Sequence, residues 1–392
     1  MKILFVNHFR PTTASFLRQL GLAKELSREG HEISFIVRRP SKGKLDSKQS
    51  EMALQGGSSV AETISYWSEP FEQLLPYNAL RLQEKCKRFD LIHVNRASPF
   101  TSTMLSFSKI MGKRIVLDWE DWDGIGGYIS VARKSLPSRF ALGFFEEVVP
   151  KSCNSIIVVS RFLGQRAERQ GIARDKIFYI PNGFDESLFN ESVSGARVRQ
   201  EYKLGSKPLI LFLSALHSYE AENWSKILDC LQYVVKEIPD ATLLMTGHGD
   251  PSMIMQYAET RGIRKNVSYI GYVPRALIPE VMATADLAVH ILSDNVLYRS
   301  ASPMVVPEYM AMGKAIIASD VGELNTMLKN GAGVLIKDQT AKAFGEAAVK
   351  LLVDSNARKK FGETASTRAR AEYSYRVLAK KAETAYARAL EA

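Results

Sequence analysis

Short apolar runs alternate with longer amphipathic stretches along almost the whole chain, and the alternation happens twice. The first series has strand patterns at Ile3–Asn7, Ile33–Val37, Leu91–Asn95, Arg114–Trp119, Ser155–Ser160 and Ile177–Ile180. Between the first two, Phe16, Leu20, Ala23 and Leu26 recur at helical spacing; Thr12 or Thr13 can cap that helix and Gly30 suits the position past its end. Pro181–Asn182–Gly183 is then a turn signal, and 190–207 is polar with no strand period. The alternation restarts at Leu209–Ser214 and runs through Ala241–Thr246, Val267–Tyr272, Leu287–Leu292, Ala315–Ser319 and Gly333–Ile336. Repeated strand–helix alternation demands a parallel sheet covered on both faces. The expected class is α/β: two doubly wound domains facing each other across a cleft. Ligands of such sheets sit beyond the carboxyl ends of the strands, with anionic groups at helix N-termini.

The 392 residues are 46% apolar and 24% charged, which suits two domains and excludes a mostly disordered or fibrous chain. No apolar run approaches the roughly 18 residues that a membrane helix needs. Ile3–Val6 is too short for a signal-peptide core. Cys86, Cys153 and Cys230 form no CxxC pair; they read as buried residues of a protein in a reducing, cytoplasmic compartment. The net charge of +10 is uneven: residues 1–180 hold 27 Lys+Arg against 18 Asp+Glu. That excess suits an anionic membrane face or an acidic acceptor. No helix-turn-helix, RNP-like or zinc-finger pattern supports a nucleic-acid partner.

Five segments together resemble glycosyltransferase family 4, a group with the GT-B architecture of two Rossmann-like domains. They are KILFVNHF with the following GHEI at 30–33, FDLIHVN at 89–95, and SIIVVSRFLGQRAERQGIARDKIFYIPNGFD at 155–185. ATLLMTGHGD at 241–250 and SPMVVPEYMAMGKAIIASDVGE at 302–323 complete the set. The resemblance implies an acceptor-side domain over 1–188, a nucleotide-sugar domain over 189–365, and a helix over 366–392 returning to the first domain. It also implies sugar transfer from a nucleotide-sugar donor, itself a substrate, with retention and with no metal or other cofactor. With the basic excess, the acceptor is expected to be a glycan or lipid-linked acceptor met at the inner face of a membrane, with a soluble acceptor as the alternative.

Residue by residue, Glu308 takes the family position that holds the donor ribose. His248 and Gly249, then Tyr272 and Val273, match donor-binding loops, and Ser302, Met304 and Val305 lead into the helix carrying Glu308. Glu120 and Asp121 align where the family faces the transferred sugar. His8, Thr12 and Thr13 lie after the first strand on the acceptor side; Trp122 either lines that pocket or packs. Three departures stand out. The family's earlier glutamate is Ser300, its Arg and Lys after the restarting strand are absent from 214–223, and Val305 replaces a Lys. The diphosphate clamp is thus missing from its usual places, and Arg299 is the nearest substitute. Those losses keep a weak or inactive nucleotide-sugar-binding homologue open as an alternative, with a nucleotide-sugar epimerase as a third. Basic surface is expected around the acceptor mouth at Arg38, Arg39, Lys42, Lys44, Arg133, Lys134 and Arg139.

Overall fold

The computed structural model describes residues 1–7, 13–38, 62–66, 86–98, 101–102, 105–106, 109, 111–131, 135–214 and 220–391. His8, Thr12, Arg39, Lys42, Lys44, Arg133 and Lys134 lie outside these residues. Two compact units result: Met1–Gly183 with Arg299–Ser302 and Tyr375–Ala392, and Phe184–Tyr298 with Pro303–Ser374.

The first unit holds β1 (Lys2–Asn7), α1 (Ala14–Arg28), β2 (Glu32–Arg38), β3 (Glu62–Tyr66), β4 (Leu91–Asn95), β5 (Arg114–Trp119), α2 (Leu136–Ser152), β6 (Ser155–Val158), α3 (Arg161–Arg169) and β7 (Ile177–Tyr179). The strands form one parallel sheet in the order β3-β2-β1-β4-β5-β6-β7. β4 is buried at every position, as a strand covered on both faces must be. Of the two threonines that could open α1, Thr13 does so: its Oγ1 accepts from the Phe16 amide at 3.3 Å. Gly30 follows the helix at φ +90°, a conformation costly for any residue with a Cβ. β3 was not expected, since Glu62–Tyr66 has only Ile64 as an aliphatic anchor.

The second unit repeats the plan with β8 (Leu209–Leu213), α4 (Ala221–Glu237), β9 (Thr242–Thr246), α5 (Ser252–Thr260), β10 (Val267–Tyr269), β11 (Leu287–His290), α6 (Val305–Ala311), β12 (Ala315–Ser319), β13 (Val334–Ile336), α7 (Ala341–Val353) and α8 (Ser355–Glu372). Its parallel order is β10-β9-β8-β11-β12-β13. Two apolar clusters fill it, one around Leu211, Tyr309 and Ile316, the other around Trp224, Leu243 and Phe344.

The single long helix expected over 366–392 is two helices, α8 and α9 (Tyr375–Glu391). The break is made by a non-local pairing that sequence periodicity cannot register. The Phe184 amide donates to the Tyr373 carbonyl at 3.1 Å, and Phe184 bridges Ser374. α8 belongs to the second unit and α9 to the first. α9 lays Leu378, Ala382, Tyr386 and Ala389 into the core beside α1 and the sheet.

Candidate functional site

In each sheet the strand order reverses once, between β1 and β4 in the first unit and between β8 and β11 in the second. Ligands of doubly wound sheets bind beyond the carboxyl ends of the strands at such a switch point.

At the first switch point the carboxyl ends of β4 and β5 supply a dense set of charges. Arg18, on α1, is fully buried and satisfied throughout. Its guanidinium forks onto Asp118 at 2.9 and 3.0 Å, and it also donates to the carbonyls of Ile180 at 2.8 Å and Pro181 at 2.7 Å. His93 bridges Asp118 (3.3 Å) and the Tyr386 hydroxyl of α9 (2.9 Å). Burial pushes the Asp118 carboxyl up, but Arg18 and His93 outweigh it and hold the group down at about 2. Two residues on, Glu120 is also buried, with Asn95 donating to it at 2.6 Å. Burial and the Asp118 charge together raise Glu120 to about 8. One strand end therefore presents an ionised carboxylate and a carboxylic acid that stays protonated at neutral pH.

Arg96 follows β4 with φ at +59°, the left-handed region that a side chain adopts at a cost. Its guanidinium is ion-paired with Asp121 and lies 3.2 Å from Asp123. Asp121 is raised by burial against the opposing pull of Arg96. A cation is thus already seated among the acidic residues of this loop. Among the described residues no group of three or more His, Cys, Asp or Glu is arranged to hold a metal ion. Below the loop, Glu146 of α2 accepts from Trp119 Nε1 at 2.8 Å and from the Asp123 amide at 3.2 Å. Burial, with Asp123 nearby, raises Glu146 well above the usual carboxylate range.

Of the two readings open to Trp122, lining the acceptor pocket or packing, its 2% exposure supports packing. Arg166 sits 3.4 Å over its ring, and a Cβ on Gly124 or Gly127 would overlap it. Its amide donates to Ser300 Oγ at 3.3 Å, in the same unit. Arg299, beside Ser300, is exposed. Ser302 Oγ accepts from the Asn182 amide at 3.0 Å. Thr13, capping α1, stands at the carboxyl-end side of β1.

In the second unit Glu308 lies in the first turn of α6 and is 2% exposed. It is ion-paired with Arg275, which spreads over the Phe189 ring at 4.7 Å. Burial raises the Glu308 carboxyl and Arg275 opposes that rise. The neighbouring Tyr309 hydroxyl accepts from the Leu213 amide at 3.0 Å, which ties α6 to the end of β8. Gly313 follows the helix at φ +63°. At seven residues α6 is short, and Met304 and Val305 at its start are half-buried. Beyond β9 and β10, His248 and Tyr272 stack at 4.1 Å and both are exposed, while Val273 is buried. Gly249 takes φ +127°, and the Tyr269 hydroxyl donates to the Gly247 carbonyl at 2.8 Å. His290 is buried, neutral, and held down to about 4 by that burial.

Two family models cover most of the chain. "Glycosyltransferase Family 4" matches residues 20–188, and "Glycosyl transferases group 1" matches 196–368. The chain belongs to glycosyltransferase family 4. The phosphatidyl-myo-inositol mannosyltransferase of Mycolicibacterium smegmatis is 24% identical over 366 residues, covering 89% of this chain and 83% of that one. That of Mycobacterium tuberculosis strain H37Rv is 25% identical over 278 residues, covering 70% and 67%. Anabaena HepE, crystallised with UDP and glucose, superposes with a TM-score of 0.78 at 18% identity, over 99% of this chain and 100% of that one; the likeness shows the GT-B fold. The protein is therefore a glycosyltransferase of glycan biosynthesis.

In this glycosyltransferase several polar residues around the strand ends escaped the sequence reading. Arg18 sits in an amphipathic helix where an Arg reads as a solvated side chain. Arg96 and Arg275 each carried a usable signal. Arg96 directly follows a strand, and Arg275 follows the Tyr272–Pro274 segment. The part-buried pairing of Arg275 with Glu308 joins residues 33 positions apart. Of the expected basic surface, Arg139 is described and exposed.

Proposed function

We propose that this glycosyltransferase binds a nucleotide sugar on its second unit and transfers the sugar, with retention and without a metal, to a membrane-borne acceptor on its first. Glu308 carries the reading. Its carboxylate accepts hydrogen bonds from two ribose hydroxyls; the position of Glu308 in the first turn of α6, within the segment that matches the group 1 model, supports this role. Arg275, ion-paired with that carboxylate, opposes the upward shift that burial imposes on it. Departure of a nucleoside diphosphate builds negative charge, which Arg299 and backbone amides near Ser302, Met304 and Val305 stabilise. The His248–Tyr272 pair and the Val273 backbone read the base. Glu120, protonated at neutral pH, donates a hydrogen bond to the transferred sugar, and Asp121 flanks it. The names of the mycobacterial relatives favour a lipid acceptor, and UDP in HepE favours a nucleoside diphosphate leaving group. The basic excess of residues 1–180 supports a place at the anionic inner face of a membrane; no helix among the described residues is long and apolar enough to cross one.

Nucleoside diphosphate release from a panel of UDP- and GDP-sugars, with dispersed phospholipid as acceptor, tests the proposal. Release that depends on the lipid supports it. Tight nucleotide binding with no release for any donor favours the second reading, a binding homologue. Ser300 and Val305, standing where the family has Glu and Lys, are the observation behind that alternative.

A further inference from the structure

The helix α2 carries large apolar residues on its outer face as well as on its inner one. Leu136, Phe140, Phe144 and Val148 follow one another at intervals of four, so they share one face. They are 77%, 77%, 51% and 39% exposed. The inward side buries Glu146, Val149 and Pro150, with Leu142 and Phe145 half-buried and Glu146 held by Trp119 and the Asp123 amide. Ile125, in the loop ahead of the helix, is 85% exposed and Val131 is 39% exposed. Isolated exposed apolar residues are ordinary, but four large ones in a row on one helix mark a contact surface.

The charges around the stripe indicate what it contacts. Arg139 and Lys151 are exposed and make no ion pair among the described residues. Glu147 is neutralised by Arg166 at 2.7 Å. Arg133 and Lys134 immediately precede the helix in sequence. Outward aromatic and aliphatic side chains with flanking Lys and Arg are the composition of a helix lying in a membrane interface. A stable protein interface needs about 800 Å² from each partner, more than one row of four side chains supplies. A bilayer needs no complementary shape.

We propose that the outer face of α2, from Leu136 to Val148, is the surface through which this glycosyltransferase docks on an anionic lipid bilayer. Its apolar row enters the headgroup boundary, and Arg139 and Lys151 meet the lipid phosphates. The inference rests on the membrane-borne acceptor proposed above and names the partner surface for it.

Flotation of the full chain with phosphatidylglycerol-containing and pure phosphatidylcholine vesicles tests it. The wild type should partition onto anionic vesicles at low salt. Phe140→Ser with Phe144→Ser should lower that partition at least tenfold with unchanged circular dichroism and melting temperature. Phe140→Leu with Phe144→Leu should retain it. Arg139→Gln with Lys151→Gln should weaken it while reducing its salt dependence. Should the serine pair misfold, Phe140→Trp serves alone: its emission should shift to the blue on anionic vesicles, and unshifted emission overturns the surface. Equal flotation of wild type and serine pair also overturns it, yet leaves the lipid acceptor standing. No flotation of the wild type overturns it too, and turnover with detergent-dispersed lipid then decides the acceptor separately. A concentration-dependent dimer abolished by the serine pair would assign the face to a second copy of the chain instead.

Discussion

Asp118 and Glu120 are two residues apart on one strand end and titrate in opposite directions, because only Asp118 receives a bidentate guanidinium. Replacing Arg18 by Met removes that partner and leaves Asp118 buried without it. Such losses cost about 3–5 kcal/mol, which urea unfolding at neutral pH should register as a lower midpoint. Glu120 gives the opposite pH signature. Its folded value is raised to about 8 from 4.5, so the folded protein binds more protons than the unfolded chain between those values. Its contribution to stability is complete below 4.5 and is lost as pH rises through about 8. Unfolding free energy measured at pH 5 and pH 8 should therefore fall less steeply in Glu120→Gln than in the wild type. An identical slope in both would mean that Glu120 ionises normally. At the proposed donor site Glu308→Gln keeps shape but loses charge-assisted acceptance of hydrogen bonds. Nucleoside diphosphate affinity should drop by about 1.5–3 kcal/mol, read by calorimetry; unaltered affinity in a folded variant removes Glu308 from the site.

At the scale of elements, periodicity was a reliable guide wherever a segment's partners are its own neighbours in the pattern. Phe16, Leu20, Ala23 and Leu26 are all buried, as their helical spacing requires. It was blind where the determining contact is distant. Nothing in Glu372–Tyr375 is a Gly or Pro, yet the helix stops there because residue 184 pairs with the backbone. Arg18 was equally hidden, since its acceptors lie 100 or more positions away. The packing of α1 on α9 makes a prediction at this scale. A Cβ on Gly21 would overlap the Tyr375 ring. Alanine raises helix propensity by about 1 kcal/mol over glycine, while overpacking costs about 1–3 kcal/mol. Because Tyr375 is itself buried, steric cost should win: Gly21→Ala should lower the melting temperature, and Gly21→Ala with Tyr375→Leu should recover much of it.

For the whole molecule, two rounds of strand–helix alternation were enough to announce two parallel sheets, because a strand buried on both faces has little freedom in composition. The site was only half legible. Motif position pointed to Glu308 and Glu120, whereas Arg275, which pairs with Glu308, and Arg96, which pairs with Asp121 and Asp123 beside Glu120, were not singled out. Each unit has its own sheet and core, so the effect of a nucleotide can be followed in each separately. Binding to the native state stabilises it by about 2.7 kcal/mol at a ligand concentration one hundred times Kd. If the second unit is the donor side, UDP or GDP should slow amide hydrogen exchange most in its own segments: Gly247–Asp250, Tyr269–Arg275 and Val305–Ala311. Glu308→Gln should erase most of that slowing at the same nucleotide concentration. The amides of β4 and β5 should respond far less until a donor sugar is attached, because Glu120 and Asp121 are proposed to meet the sugar and not the nucleotide. Protection by free UDP or GDP confined to the β4 and β5 ends would reverse the assignment of donor and acceptor sides.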